Sequence, residues 1–294
     1  MDLFAGYRNR RFACSALLAI FGLSLGVSGA AGQAAIPACR DAGNNFDLSR
    51  GLAGTSFDAS RLAAPDRALV ARDAMLGDHV VRLTWLVGDR AAGGPRAELA
   101  DQCLPAEGVP IFTSLSFLIP HNLPLDAGGS VTIAQFHTAS SNHKPVVALR
   151  YRASGHLDVT LNHLVPKASG ETPRSLQIKP LRFEDLPRGQ WHTIGFLAVW
   201  SSGADGRLDI VFDGRPVFRY RGKTNFPDQN GAGPYFKFGV YPSDGNSKPL
   251  SVEYARYERV GKPGDALLKA RGFGGGKGTV YRVGDPRIVV PAKR

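Results

Sequence analysis

Cysteine is scarce: three in 294 residues, alongside two methionines and three tryptophans. That leaves room for a single disulfide and excludes a disulfide-dense scaffold. No Lys/Arg tract is long enough to suggest nucleic acid, and no aromatic-basic platform of the single-strand type is legible. After residue 30 no apolar run approaches the ~20 residues needed to span a bilayer. No internal repeat and no linker interrupts the chain, so one domain is the simplest organisation. Acidic residues are outnumbered, 25 Asp+Glu against 36 Lys+Arg, a formal charge of +11. His79, His121, His143, His156, His163 and His192 show no spacing that marks a metal site.

Apolar residues make up 43%, enough for a packed core. Glycine (35) and proline (20) are in excess and follow no period. Many turns, and so a β-rich protein, are implied. The start of the chain reads differently. Arg8, Arg10 and Arg11 precede an apolar run from Phe12 to about Val27, and Ser28-Gly29-Ala30-Ala31 follow. This is the pattern of a secretory signal peptide cleaved near Ala30. The alternative, a membrane anchor, is disfavoured by the shortness of the run. Its removal takes three arginines and one aspartate, and the remainder stays basic. Export to the periplasm or medium and an anionic partner are expected. Cys14 falls in the signal. Cys39 and Cys103 remain, and an oxidising compartment favours one disulfide between them. Two free thiols are the plain alternative, and lipidation at Cys39 fits poorly so far past the apolar run.

Beyond the signal the hydrophobic period is mostly two. Strand-like runs fall at 79–87, 111–119, 131–138, 145–153, 156–164, 191–200, 207–212, 216–222, 235–241 and 250–260. Ser154-Gly155 and Asp213-Gly214 look like tight hairpin turns. Residues 66–75 are the one fair helix candidate. These elements predict an all-β, antiparallel sandwich or jelly roll over 31–264, with a Gly-rich basic tail over 265–294 that frays or stays mobile.

Alternation sorts side chains to two faces of a strand. In YFKFGVY, Tyr235, Lys237, Gly239 and Tyr241 share one face, an open platform with room for a ligand at Gly239. Gln135 and His137 share a face, as do Arg96 and Glu98, and Arg150 and Arg152. Each pair alone is ordinary: an Arg-x-Glu pair is usually a surface ion pair of small worth. Together and in order, Arg-x-Glu-Leu, Gln-x-His and Tyr-Phe-Lys-x-Gly-x-Tyr resemble the β-jelly-roll polysaccharide lyases: alginate, glucuronan and heparin-lyase-I-like proteins. GQWHTIGFLAVWSS (189–202) and GRLDIVFDGRPVF (206–218) extend the resemblance, which runs from about Arg96 to Tyr257. Phe238 after Lys237 is closer to the glucuronan and heparin-lyase-like branch. Pro242-Ser243-Asp244 departs from the usual ending, which bears on the substrate subsite.

The resemblance implies a concanavalin-like jelly roll whose three motif strands line a concave groove. It implies β-elimination on a uronate polymer. There the C6 carboxylate must be neutralised, H5 removed and the leaving O4 protonated. Arg96 and Gln135 match the neutralising positions, Tyr241 the catalytic tyrosine, and His137 a base or carboxylate ligand. Glu98 is expected to orient Arg96. A phenol of ordinary pKa ~10 needs nearby positive charge to act as base. H5 and O4 lie on one side of the ring in glucuronate and mannuronate, where Tyr241 alone can serve as base and then acid. In guluronate or iduronate they lie on opposite sides, and His137 and Tyr241 divide the work. Lys237, Tyr235, Arg150 and Arg152 are candidates for sugar contacts, with exposed strand positions as the plain alternative. No cofactor is implied, and a structural Ca²⁺ stays open. The partner expected is an anionic polysaccharide, not nucleic acid or membrane, and the protein a monomer.

Two rivals share the sandwich. A glycoside hydrolase needs two flanking carboxylates, and no Glu-x-Asp-x-x-Glu strand is present; Glu184-Asp185 sits in a loop. A lectin-like carbohydrate-binding domain would keep a basic groove without catalysis, but Arg96, Gln135, His137 and Tyr241 are all in place.

Overall fold

A computed structural model describes residues 39, 44–139, 144–165, 174–227, 229–273 and 280–282. The signal-like segment 1–30 lies outside them, as do 274–279 and 283–294 of the tail. Among the described residues sixteen strands and one α-helix follow in chain order. They are β1 (Asn44–Asn45), β2 (Phe57–Asp58), β3 (Ala68–Asp73), β4 (Asp78–Trp85), β5 (Ala97–Asp101), β6 (Pro110–Leu118), β7 (Ser130–His137) and β8 (Val147–Arg152). Then come β9 (Leu157–Val165), β10 (Arg174–Phe183), β11 (Trp191–Val199), β12 (Arg207–Phe212), β13 (Arg215–Arg221), β14 (Tyr235–Pro242), β15 (Leu250–Gly261), α1 (Asp265–Ala270) and β16 (Val280–Arg282).

The strands form two sheets. One has the order β16-β13-β12-β11-β6-β15-β4-β3, with β1 also on β15; the other runs β10-β9-β8-β7-β14-β5-β2. Pairing is antiparallel except between β13 and β16. This is a jelly-roll sandwich in a single domain. Inward residues of both sheets meet in one core, where Phe136 of β7 packs against Phe196 of β11, Trp200 and Phe236, with ring centroids 4.8–5.1 Å apart. The sheets are also joined by polar contacts: Tyr257 Oη and Arg259 Nε both donate to buried Asp101 Oδ2 at 2.6 Å. Cys39 and Cys103 are disulfide-bonded, closing a sequence separation of 64. The chain-entropy model assigns such a closure about 4 kcal/mol.

Three sequence expectations change, and one strand is added. Residues 66–75 are not a helix: a 3-10 turn at Pro65–Arg67 leads into β3, paired with β4 from Ala68↔Leu83 to Asp73↔Asp78. Strand pairing at the sheet edge overrides a weak helical tendency. β10 was hidden because Pro180 breaks its alternation, and the register shifts there, between Ile178 and Leu181. The tail is not wholly loop, since α1 and β16 lie within it and β16 adds to β13. Gly239 does not leave room for a ligand. A Cβ there would stand 2.2 Å from the Ala97 carbonyl oxygen, so the glycine lets β14 approach β5. The Asp213-Gly214 turn is as expected, with φ of 46° and 75°, the pattern of a type I′ hairpin.

His192 anchors that turn. Its ring is buried on Phe212, Nδ1 lies 2.9 Å from Asp213 Oδ2 and Nε2 3.0 Å from the Pro187 carbonyl oxygen. Both neighbours are acceptors, so only the imidazolium satisfies both. Burial opposes the charge, but the hydrogen bonds to Asp213 and Pro187 outweigh it and hold the His192 pKa above its ordinary value. A raised folded pKa gives stability that is full below the unfolded pKa and is lost as pH rises through the folded one. The stability gap between the parent and His192→Phe should therefore shrink as pH rises above the ordinary imidazole value of about 6.5, read by urea unfolding. A gap that widens with pH refutes the imidazolium.

Candidate active site

β14 is the middle of the site, between β7 and β5. On the β5 side Glu98 lies opposite Gly239 and Ala100 opposite Lys237. On the β7 side Tyr235 faces His137 and Lys237 faces Gln135. The register then shifts on both flanks of β7 and brings Thr132 opposite Tyr241 and opposite Arg150. All these residues look away from the core between the sheets. Arg96, just before β5, reaches the same face.

Glu98 is the hub. Its carboxylate is 1% exposed and receives Gln135 Nε2, Arg96 Nη1 at 3.3 Å and Lys237 Nζ at 3.4 Å. Lys237 is itself buried. Desolvation, partly offset by Glu98, lowers its pKa to about 8. Arg96 lies across the Tyr241 ring, 4.5 Å from its centroid, the geometry of a cation–π contact. Gly94 makes room for that guanidinium, because a Cβ there would be 2.7 Å from Nη2. Among the described residues the Tyr241 hydroxyl has no hydrogen-bond partner, and the buried Arg96 Nε has none either.

His137 is neutral at pH 7. Burial first, and Lys237 second, push its pKa down to about 4. Its Nδ1 lies 2.9 Å from the Thr138 carbonyl oxygen. That oxygen can only accept, so Nδ1 carries the proton and Nε2 keeps its lone pair. The result is a basic nitrogen on the same sheet face as the Arg96 guanidinium and the Tyr241 phenol, the parts of a proton-transfer site. Tyr235 is the ring next to it, at 6.1 Å, and Tyr241 stands farther along β14, opposite Thr132.

The expected open platform is closed. Tyr235, Lys237, Glu98 and Gln135 are buried beneath Arg96, His137 and Tyr241, which are partly exposed. Lys237 and Tyr235 therefore support the site. Arg61, which nothing in the sequence marks, enters from a loop; its Nη2 donates to the Tyr235 hydroxyl at 3.1 Å and its Nη1 pairs with Asp58 at 2.5 Å. Arg150 and Arg152 lie two strands from β14, on β8. Arg152 is bound to buried Asp158 at 2.5 Å, shared with Arg182 of β10 at 2.8 Å. Arg150 has only the Thr132 hydroxyl, at 3.4 Å, among the described residues, and its charge remains available.

A family model described as polysaccharide lyase matches residues 56–255, a span holding every residue of this cluster. The chain belongs to that family and is a polysaccharide lyase. The crystal structure of an endo-β-1,4-glucuronan lyase from the fungus Trichoderma reesei is similar, with TM-score 0.55 and 15% identity over 76% of this chain and 95% of that one. That likeness shows the fold. A marine PL-14 alginate lyase from Aplysia kurodai gives TM-score 0.48 and 11% identity over 77% and 100%. An alginate lyase from Corynebacterium sp. gives 0.44 and 15% over 67% and 82%. No curated protein sequence matches.

Proposed function

We propose that this lyase is exported and cuts a uronate-containing anionic polysaccharide by β-elimination, glucuronan-like polymers first and alginate-like ones next. The signal-like residues 1–30 support export. The observation that carries the chemistry is the trio of Arg96, His137 and Tyr241, partly exposed above the buried Glu98–Gln135–Lys237 layer. Arg96 takes the C6 carboxylate with the exposed part of its guanidinium, and Gln135, bound to Glu98 below it, adds its remaining amide proton. With that charge neutralised, H5 becomes removable. Tyr241, or His137 through Nε2, takes H5. The C5–H electrons form the C4–C5 double bond, the C4–O4 bond breaks, and O4 receives a proton from Tyr241.

The test is ultraviolet absorbance during incubation with glucuronan, polymannuronate, polyguluronate, heparin and hyaluronan. Elimination conjugates the new double bond to the carboxylate, and hydrolysis does not. A rise on one polymer supports the proposal and names the substrate. New reducing ends without absorbance would mean hydrolysis. Retention on a polyuronate column without cleavage would mean a binding domain.

A further inference from the structure

We infer that the outer face of the β12–β13 hairpin is a second binding surface for anionic polysaccharide, separate from the groove. The inference rests on the polyuronate reading of the active site. The hairpin belongs to the nine-stranded sheet, whereas the site lies on the seven-stranded one. Phe218 and Tyr220 of β13 and Leu208 and Ile210 of β12 point into the core. The alternate residues Arg207, Asp209, Arg219 and Arg221 therefore share the opposite, outer face.

Their arrangement is unusual for a surface that only has to be soluble. Arg207 stands directly opposite Arg221, and Arg219 opposite Asp209. Like charges directly opposite on a sheet destabilise it. One carboxylate serves the group: Asp209 accepts Arg207 Nε at 2.8 Å and Arg221 Nη1 at 2.7 Å. Among the described residues Arg219 has no ion pair. Arg207 and Arg221 each keep 38% of their side chain exposed despite the contact. Lys223 follows two residues after Arg221, and Arg282 of β16 takes the register position beside Arg221, whereas Arg215 stands opposite core-facing Phe212 and so on the other face. Between 207 and 223 there are five cations and two carboxylates, one of which, Asp213, is engaged by His192.

Guanidinium forks bind carboxylates and sulfates in two-point fashion. A row of them along a sheet face suits a polymer with repeated carboxylates better than a compact ligand. Such a surface would hold the enzyme on a long chain between cuts without touching the chemistry.

The variant is Arg219→Gln with Lys223→Gln, which leaves both partners of Asp209 in place. Elution from a polyuronate column is measured on a salt gradient, in a Tyr241→Phe background to prevent cleavage. The variant should elute at lower salt, and its affinity for long polymer should fall by roughly threefold per lost charge. The same two changes in the active enzyme should leave kcat on a short oligosaccharide unchanged and raise KM on long polymer. Equal elution of the two proteins overturns the inference while the groove reading stands. Failure of both proteins to bind any polyuronate sinks the polyuronate reading instead. Binding of the patch to anionic lipid vesicles but not to the polymer would make it a membrane contact and overturn the proposal.

Discussion

Tyr241→Phe should lower turnover by about two to four orders of magnitude, the usual worth of a positioned proton donor or acceptor. Folding and polymer binding should survive. The substitution removes one oxygen that makes no hydrogen bond among the described residues, so no buried partner is orphaned. The ring that Arg96 covers at 4.5 Å remains, and so does that contact. That guanidinium is the positive charge beside the phenol when it acts on the substrate. The same phenol, once protonated by H5, is the nearest acid for O4 when both lie on one side of the ring. His137→Ala then separates the two stereochemical cases. It should be nearly neutral on a polymer that needs only Tyr241 and severe on one that needs a base across the ring. The measurement is the initial rate of absorbance change, with circular dichroism as the folding control. Parent-rate cleavage by Tyr241→Phe would remove Tyr241 from the chemistry.

Period-two alternation made the sandwich legible, because half-buried strands must alternate. It placed Gln135 with His137 and Lys237 with Tyr241 on shared faces, and the structure brings these rows side by side. Alternation fails where the register shifts. Around Thr132–Ala134 the phase of β7 slips, so Ile133 enters the core although its parity matches Gln135. A reader of the sequence cannot see which positions slip, because the slip is set by the neighbouring strands. Nor does alternation report what lies over a face. Lys237 and Tyr235 read as an open platform and are in fact buried. Arg61 could not be found at all: it acts from a loop, and only the fold carries its guanidinium to Tyr235. Gly239 stands out in the sequence for its lack of a side chain, but that lack serves a backbone contact with β5.

Glu98→Ala should cost about 3–5 kcal/mol of stability, the usual penalty for removing one partner from a buried charge cluster. Lys237 is 3% exposed and has no other carboxylate within ion-pair distance among the described residues. Without Glu98 it must shed its proton or drag water inward. Gln135 would lose its acceptor, and Arg96 the anchor that fixes it beside the Tyr241 ring. Catalysis should suffer separately from stability, since an unanchored Arg96 still carries its charge but no longer holds it at one place. Glu98→Gln distinguishes the two effects. It keeps the shape and one acceptor oxygen, so it should recover part of the packing yet restore no counter-charge to Lys237. Its kcat should stay well below the parent value even at temperatures where it is fully folded. Urea unfolding and kcat on the identified polymer, measured for both variants, decide the matter. If Glu98→Ala loses less than about 1 kcal/mol and cleaves at the parent rate, Glu98 neither anchors Arg96 nor balances Lys237. A loss of stability with kcat intact would instead confine Glu98 to the fold and leave Arg96 held by Tyr241 alone.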